Sequence, residues 1–192
     1  MNLVQRVQAI VLEPRSEWPR VATEPATVQS IYTNWVMILA AIGPLTLVLL
    51  SMTFGGLGFG LRAAVAAYVN SLIAVALLAA VVDVLAPSFG GSKDFMRSLK
   101  LVAYSFTPVW VAQIALIVPV LGWLIVLAGA IYGFYLFFLG APLLGRCSVD
   151  RAIPFTIVAI LCAVVLGVIV QRILFAVMGF GPMGSDPMSL LR

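Results

Sequence analysis

Charged positions are sparse along the chain, and they isolate four long stretches that carry none: Pro25 to Leu61, Ala63 to Val82, Leu101 to Gly145 and Ala152 to Gln171, of 37, 20, 45 and 20 residues. A bilayer core about 30 Å thick takes about 20 helical residues at 1.5 Å each, so each 20-residue stretch predicts one membrane span. The 37-residue stretch opens on turn-prone polar residues (Pro25, Thr27, Gln29, Ser30, Thr33, Asn34) and closes on Gly55-Gly56-Leu57-Gly58-Phe59-Gly60. Glycine at that density predicts a loop, and one span fits between. The 45-residue stretch as a single helix would run to about 68 Å, more than twice the core. Pro119 and Gly122 near its middle predict a tight hairpin between two antiparallel helices. The pattern therefore predicts an all-α, polytopic membrane protein with five transmembrane helices. They fall at about 35–53, 63–84, 100–118, 122–140 and 153–175, within a membrane domain of residues 31–178.

Residues 1–30 form an N-terminal segment with helical periodicity of its own. Leu3, Val4, Val7, Ile10 and Val11 share one face, with Asn2, Gln5, Arg6, Gln8 and Glu13 elsewhere. Two placements fit this amphipathic helix: in the plane of the headgroups, or packed on the end of the bundle. Pro14 ends it, and Ser16-Glu17-Trp18-Pro19 predicts a capped restart with Ser16 at the N-cap. Residues 179–192 are scattered with Gly and Pro and predict a poorly ordered tail.

Composition supports the same reading. The chain is 63% hydrophobic and 9% charged, with a mean hydropathy of +1.16, against roughly 25% charged residues in a soluble domain. Those values exclude a soluble enzyme, a disordered chain and a disulfide scaffold. There is no His, so the commonest general base and most zinc sites are absent. Cys147 and Cys162 make no framework, no cofactor motif is present, and the net charge of +4 is too small and dispersed for nucleic acid.

The cations set orientation. Arg6, Arg15 and Arg20 precede span one; Lys93, Arg97 and Lys100 lie between spans two and three; Arg146 and Arg151 lie between four and five. Only Arg62, Arg192 and Arg172, near the outer end of span five, fall toward the other side. This bias predicts a cytoplasmic N-terminus and a C-terminus outside. It also predicts that Cys147 escapes a membrane-impermeant thiol reagent applied from outside.

A few residues are candidates for chemistry or recognition. Asp83 is the acidic residue attached to an apolar helix; its plainer role is an interfacial carboxylate that pairs with the start of span three, within reach of Arg97 or Lys100. Arg172 either snorkels to the outer headgroups or is buried with a partner, because Ile173 to Met178 continue the apolar run. Asn70, Ser105 and Gln113 are polar groups within spans that would line a pathway or, more ordinarily, bond between helices. Gly129 and Gly133, four apart in span four, present a small-residue helix-packing face to another span or a second subunit. Pro44 and Pro108 lie inside spans one and three and predict breaks there. Lys93, Arg97, Lys100, Arg146 and Arg151 are candidate contacts for anionic lipid headgroups, the plainer reading being orientation alone.

The run Phe95-Met96-Arg97-Ser98-Leu99-Lys100-Leu101-Val102-Ala103-Tyr104-Ser105-Phe106-Thr107-Pro108-Val109-Trp110 resembles the entry to the third span in the bacterial branch of the Yip1 family. The hairpin Ile117 to Gly122 and the stretch Ala128 to Pro142 that follows are similar as well, as are Leu12-Glu13-Pro14, Glu17-Trp18 and Glu24. The resemblance covers roughly residues 5–175 and is distinctive mainly between 95 and 142. It implies five spans with a cytoplasmic N-terminus. Eukaryotic members of the family are linked to vesicle traffic and Rab GTPases through N-terminal regions much longer than this one, so Rab binding is not carried over. The preference for Arg over Lys and the short termini point to a bacterial inner membrane. The leading expectation is a non-enzymatic protein that organises membrane or binds membrane partners, including another membrane protein or its own copy. The alternative is transport, as a small channel, carrier or lipid-moving protein.

Overall fold

The computed structural model describes residues 2–53, 56–118, 120–145 and 147–177. Arg146, Pro119 and the tail 179–192 lie outside the described residues. Five helical stretches are long and apolar enough to cross a membrane: Val28–Thr53, Leu57–Phe89, Phe95–Ile117, Leu121–Leu144 and Asp150–Val177, numbered here as spans one to five. Two shorter helices, α1 (Leu3–Leu12) and α2 (Pro14–Thr23), precede them.

Each span is longer than the sequence pattern predicts, and the reason is local. Span one starts at a reciprocal cap in which Thr27 and Ser30 accept each other's backbone N–H, so its polar opening residues are helical. Span two begins at Leu57, inside the glycine-rich segment read above as a loop. Gly60 faces Ser51 so closely that a Cβ there would lie 2.1 Å from the serine side chain. The glycine is spent on the approach of two helices as well as on the turn. The proline breaks appear as expected. Span one is interrupted at Ala41 and span three at Phe106, each just before Pro44 or Pro108 removes a backbone donor.

Spans three and four meet in a tight hairpin. Val120 takes φ 64° and ψ −60°, a strained geometry for a β-branched residue. Gly122 then lies so near the carbonyl of Ala115 that a Cβ would come within 2.3 Å of it.

Span three is the hub. Of its most apolar window 44% is buried, against 22–28% for the other four. It packs on spans one, two and four, while span two also holds spans one and five, and span four also holds span five. The α1–α2 pair packs on spans three and four, so the two short helices complete the wall around the hub.

Candidate functional site: a charge network beneath the N-terminal hairpin

Helix α1 is anchored at its start by a capping box between Asn2 and Gln5. It packs on the bundle, with Ile10 fully buried and Leu3, Val7 and Val11 against the core. Of the two placements open to it, packing on the protein is therefore met. Arg6 shares this inward face, not the polar one, because it stands one turn from both Leu3 and Ile10. Helix α2 starts at Pro14, which needs no N–H at a first helical position. The N-cap is Glu13 instead of Ser16.

The two helices bring five ionisable groups together. Arg6 Nη1 donates to Glu24 Oε1 at 2.7 Å and Nη2 engages Oε2, a bidentate fork. Arg6 Nε lies 3.0 Å from Glu17 Oε1, and the guanidinium sits 5.7 Å over the Tyr104 ring. Glu17, 1% exposed, is also 3.5 Å from Arg20 Nη1. Lys100, 5% exposed, donates to the carbonyl of Val21 at 2.8 Å and also to that of Glu24. Those carbonyls are at the C-terminal end of α2, where the last C=O groups lack helical partners and the dipole is negative. Hydrogen bonding to Arg6 holds the Glu24 carboxyl below its ordinary pKa, and the same bond raises that of Arg6.

Aromatic rings floor the network. Tyr104 lies 4.6 Å from Trp35 and 6.4 Å from Trp18, centroid to centroid. Trp35 Nε1 donates to Thr107 at 3.2 Å, and Tyr132 donates to the carbonyl of Val11 at 2.7 Å. Trp18 fits against Gly140, where a Cβ would come within 2.9 Å of its ring. Its indole N–H has no partner among the described residues.

The candidates named from sequence are dispersed. Lys100, grouped above with the headgroup-facing cations, is turned inward and committed to α2, because a buried ammonium needs acceptors. Lys93 and Arg151 are exposed, and Arg97 pairs with Asp94 at 3.0 Å. Asp83 does meet the start of span three, but through a backbone group: it accepts the N–H of Asp94 at 2.7 Å, while neither Arg97 nor Lys100 bonds to it. Arg172 is exposed on the surface of span five. Gly129 and Gly133 receive span three of the same chain. A Cβ at Gly129 would meet Ala112 Cβ at 2.8 Å and the Pro108 carbonyl at 2.9 Å, and one at Gly133 would meet the Ser105 carbonyl at 2.7 Å. That face is closed to any partner protein.

No hydrogen bond joins Asn70, Ser105 and Gln113 to one another among the described residues. Asn70 Oδ1 and Ser105 Oγ are buried without a hydrogen-bond partner, and the Gln113 carboxamide lies over Gly43. A crevice of about 220 Å³ opens between spans two, three, four and five, walled by Leu78, Gly133, Phe137, Ala159 and Ala163, with Ser105 as the polar residue of its lining. It is an apolar space at the side of the bundle. Among the described residues, no three His, Cys, Asp or Glu are grouped to hold a metal ion.

The periodicity of α1 sets Arg6 off the apolar face, and Ser16-Glu17-Trp18-Pro19 predicts only a capped restart, so neither points to this network. The available signal was the Leu3, Arg6, Ile10 spacing, which carries the guanidinium inward.

Five apolar spans, the third of them the most buried, with a charge network under the N-terminal hairpin, define a polytopic α-helical integral membrane protein. The Yip1 domain model matches residues 9–170, and the chain belongs to the Yip1 family. Comparison with curated proteins and with solved structures finds no match.

Proposed function

We propose that the protein is a non-enzymatic member of the family that organises the membrane or binds membrane partners. Its place is the bacterial inner membrane, with the N-terminal hairpin on the cytoplasmic side. The observation that carries this reading is the character of the interior. The crevice among spans two to five is apolar, and Ser105, the polar residue of its lining, has an Oγ with no hydrogen-bond partner. A solute pathway needs polar groups in series facing a cavity. The charges instead lock α1 and α2 to the bundle. With Gly129 and Gly133 occupied, partner contacts fall to exposed surfaces: Lys93 and Arg151 near the N-terminal side, and the outer half of span five, where Val164, Val168 and Ile173 are exposed.

Reconstitution tests the choice. Vesicles carrying the protein are expected to hold ion and dye gradients as protein-free vesicles do. Vesicle binding by the detergent-released protein should rise with anionic lipid if Lys93 and Arg151 meet headgroups. Selective flux of any ion or lipid would transfer the reading to transport.

A further inference from the structure

The lower ends of four spans are tied to one level. Asp83 of span two accepts the Asp94 N–H ahead of span three at 2.7 Å. Gly91 lies against the carbonyl of Gly145, which ends span four, so tightly that a Cβ would fall 2.1 Å from it. Phe155 of span five meets both Phe89 at 5.3 Å and Phe137 of span four at 5.7 Å, centroid to centroid, so span five enters close above this level. Heights above this level follow from about 1.5 Å per helical residue.

On the side formed by spans two and five, the surface is apolar down to that level. Val84 is exposed at the base and Ile153 close above it, Leu77 and Ile73 are exposed at about 9 and 15 Å, and Leu161 and Val165 continue the apolar surface up the neighbouring span. Hydrocarbon must reach the base there.

The opposite side differs. The α1–α2 hairpin is attached well above the base. Trp18 packs on Gly140, about 7.5 Å up; Arg6 lies over Tyr104, about 15 Å up; and Leu12 to Ser16 line a recess with Tyr132 and Tyr135, at about 15 to 20 Å. Yet the outward surface of the hairpin is mainly polar: Gln5, Gln8, Glu13, Arg15, Ser16 and Arg20 are exposed, with Val4 and Leu12 between them. At heights where one side of the molecule shows leucine and valine, the other shows arginine and glutamine. A bilayer half-core is about 15 Å thick, and uncompensated polar side chains do not stay in it.

We propose that the leaflet on the N-terminal side is thinned beside the hairpin. Phospholipid headgroups and their water descend over the polar face of α1 and α2, about two helical turns further than they reach beside spans two and five. Arg15 and Arg20 meet the descending phosphates, and Val4 and Leu12 the chains around them. The protein is a wedge with unequal apolar heights on its two flanks. This deepens the membrane-organising reading and rests on it.

The test uses the full chain with Cys147 and Cys162 replaced by Ser, reconstituted in vesicles of mixed phosphatidylcholine and phosphatidylglycerol. Ser16→Cys and Leu161→Cys each receive a fluorescent thiol label, quenched by lipids spin-labelled either at the headgroup or near the chain end. A second variant, Ser16→Cys with Tyr135→Cys, is cross-linked in the same vesicles to report docking of the hairpin. The expected result is a cross-link, with the Ser16 position quenched several-fold more by the headgroup label and the Leu161 position more by the chain-end label. A cross-linked hairpin whose Ser16 probe is quenched like the Leu161 probe would overturn thinning. Headgroup quenching without a cross-link would also overturn it, since the hairpin would then be lying on an undeformed surface. Selective flux would sink the proposed function and leave these depth readings standing, so the two failures are distinguishable.

Discussion

Lys100 of span three and the carbonyl of Val21 at the end of α2 meet at 2.8 Å across 79 positions of sequence. The contact fixes where the N-terminal hairpin sits, because it joins a buried cation to the negative end of a helix that would otherwise leave carbonyls unpaired inside the protein. Replacing the ammonium by an isosteric apolar group, Lys100→Met, leaves the Val21 and Glu24 carbonyls without this donor. A cost of about 1–3 kcal/mol per unsatisfied group is expected. Thermal unfolding in detergent should show a clear loss for Lys100→Met. If Lys100 served only lipid headgroups, its replacement would leave the melting temperature of the detergent-solubilised protein unchanged.

Glu17 carries a second prediction. It is buried against Arg6 and Arg20, and removing one member of a buried pair typically costs about 3–5 kcal/mol because the other charge is stranded. Glu17→Gln should therefore destabilise more than Arg20→Gln, since Arg20 reaches solvent. Equal melting temperatures for the two variants would contradict the placement of Glu17 in the interior.

The Arg6–Glu24 fork adds a dependence on pH. The folded carboxyl titrates below its unfolded value through its hydrogen bonds to Arg6. Its contribution is thus fully present above the unfolded carboxylate pKa, about 4.3, and is lost as pH falls through the depressed folded value. Arg6 stays charged throughout. The hairpin should loosen below about pH 4, read as a rise in mobility of a spin label at Ser16→Cys in a background with both native cysteines replaced, and Arg6→Gln should flatten that dependence by loosening the hairpin already at neutral pH. Glu24 is 48% exposed, so the effect is modest, as for other solvent-screened pairs.

How much of this was written in the sequence differs from element to element. Four uncharged stretches follow from the spacing of charges, because a charge in hydrocarbon is costly wherever it falls. The fifth span follows from a 45-residue stretch too long for one crossing, with Pro119 and Gly122 at its middle. The breaks near Pro44 and Pro108 follow from a missing N–H. Asp83 was legible only by place: that it meets the start of span three follows from its position, but its partner is a backbone N–H, which residue types do not reveal. Arg6 was misplaced because a lone arginine on a helical wheel reads as a polar-face residue, while Glu24, its partner, stands 18 positions away beyond a turn. The glycine run at 55–60 misled for the opposite reason. Flexibility and close packing both call for glycine, and only the neighbour, Ser51 at Gly60, tells which applies.

Gly133 lets the assignment of its helix face be tested. A side chain there would drive into the Ser105 carbonyl, backbone that cannot yield. Gly133→Leu should lower stability by roughly 1–3 kcal/mol through overpacking of spans three and four, seen as a drop in melting temperature at every protein concentration. A face reserved for a second subunit would behave differently, with an unchanged monomer and a lost oligomer.

The orientation can be settled with thiols, though Cys147 itself is a poor reporter. It is buried, and burial raises the pKa of its thiol, so the reactive thiolate is scarce at neutral pH. Protection of Cys147 from an outside reagent would thus be expected on either side of the membrane. The neighbouring Ser148 is exposed and shares its side. In a background with both native cysteines replaced, Ser148→Cys should react with an impermeant maleimide only in inside-out vesicles, where the cytoplasmic face is turned out. Reaction in intact cells or right-side-out vesicles would invert the topology that the excess of Lys and Arg predicts. It would also move the α1–α2 hairpin, which lies at the same end of the bundle, to the opposite leaflet.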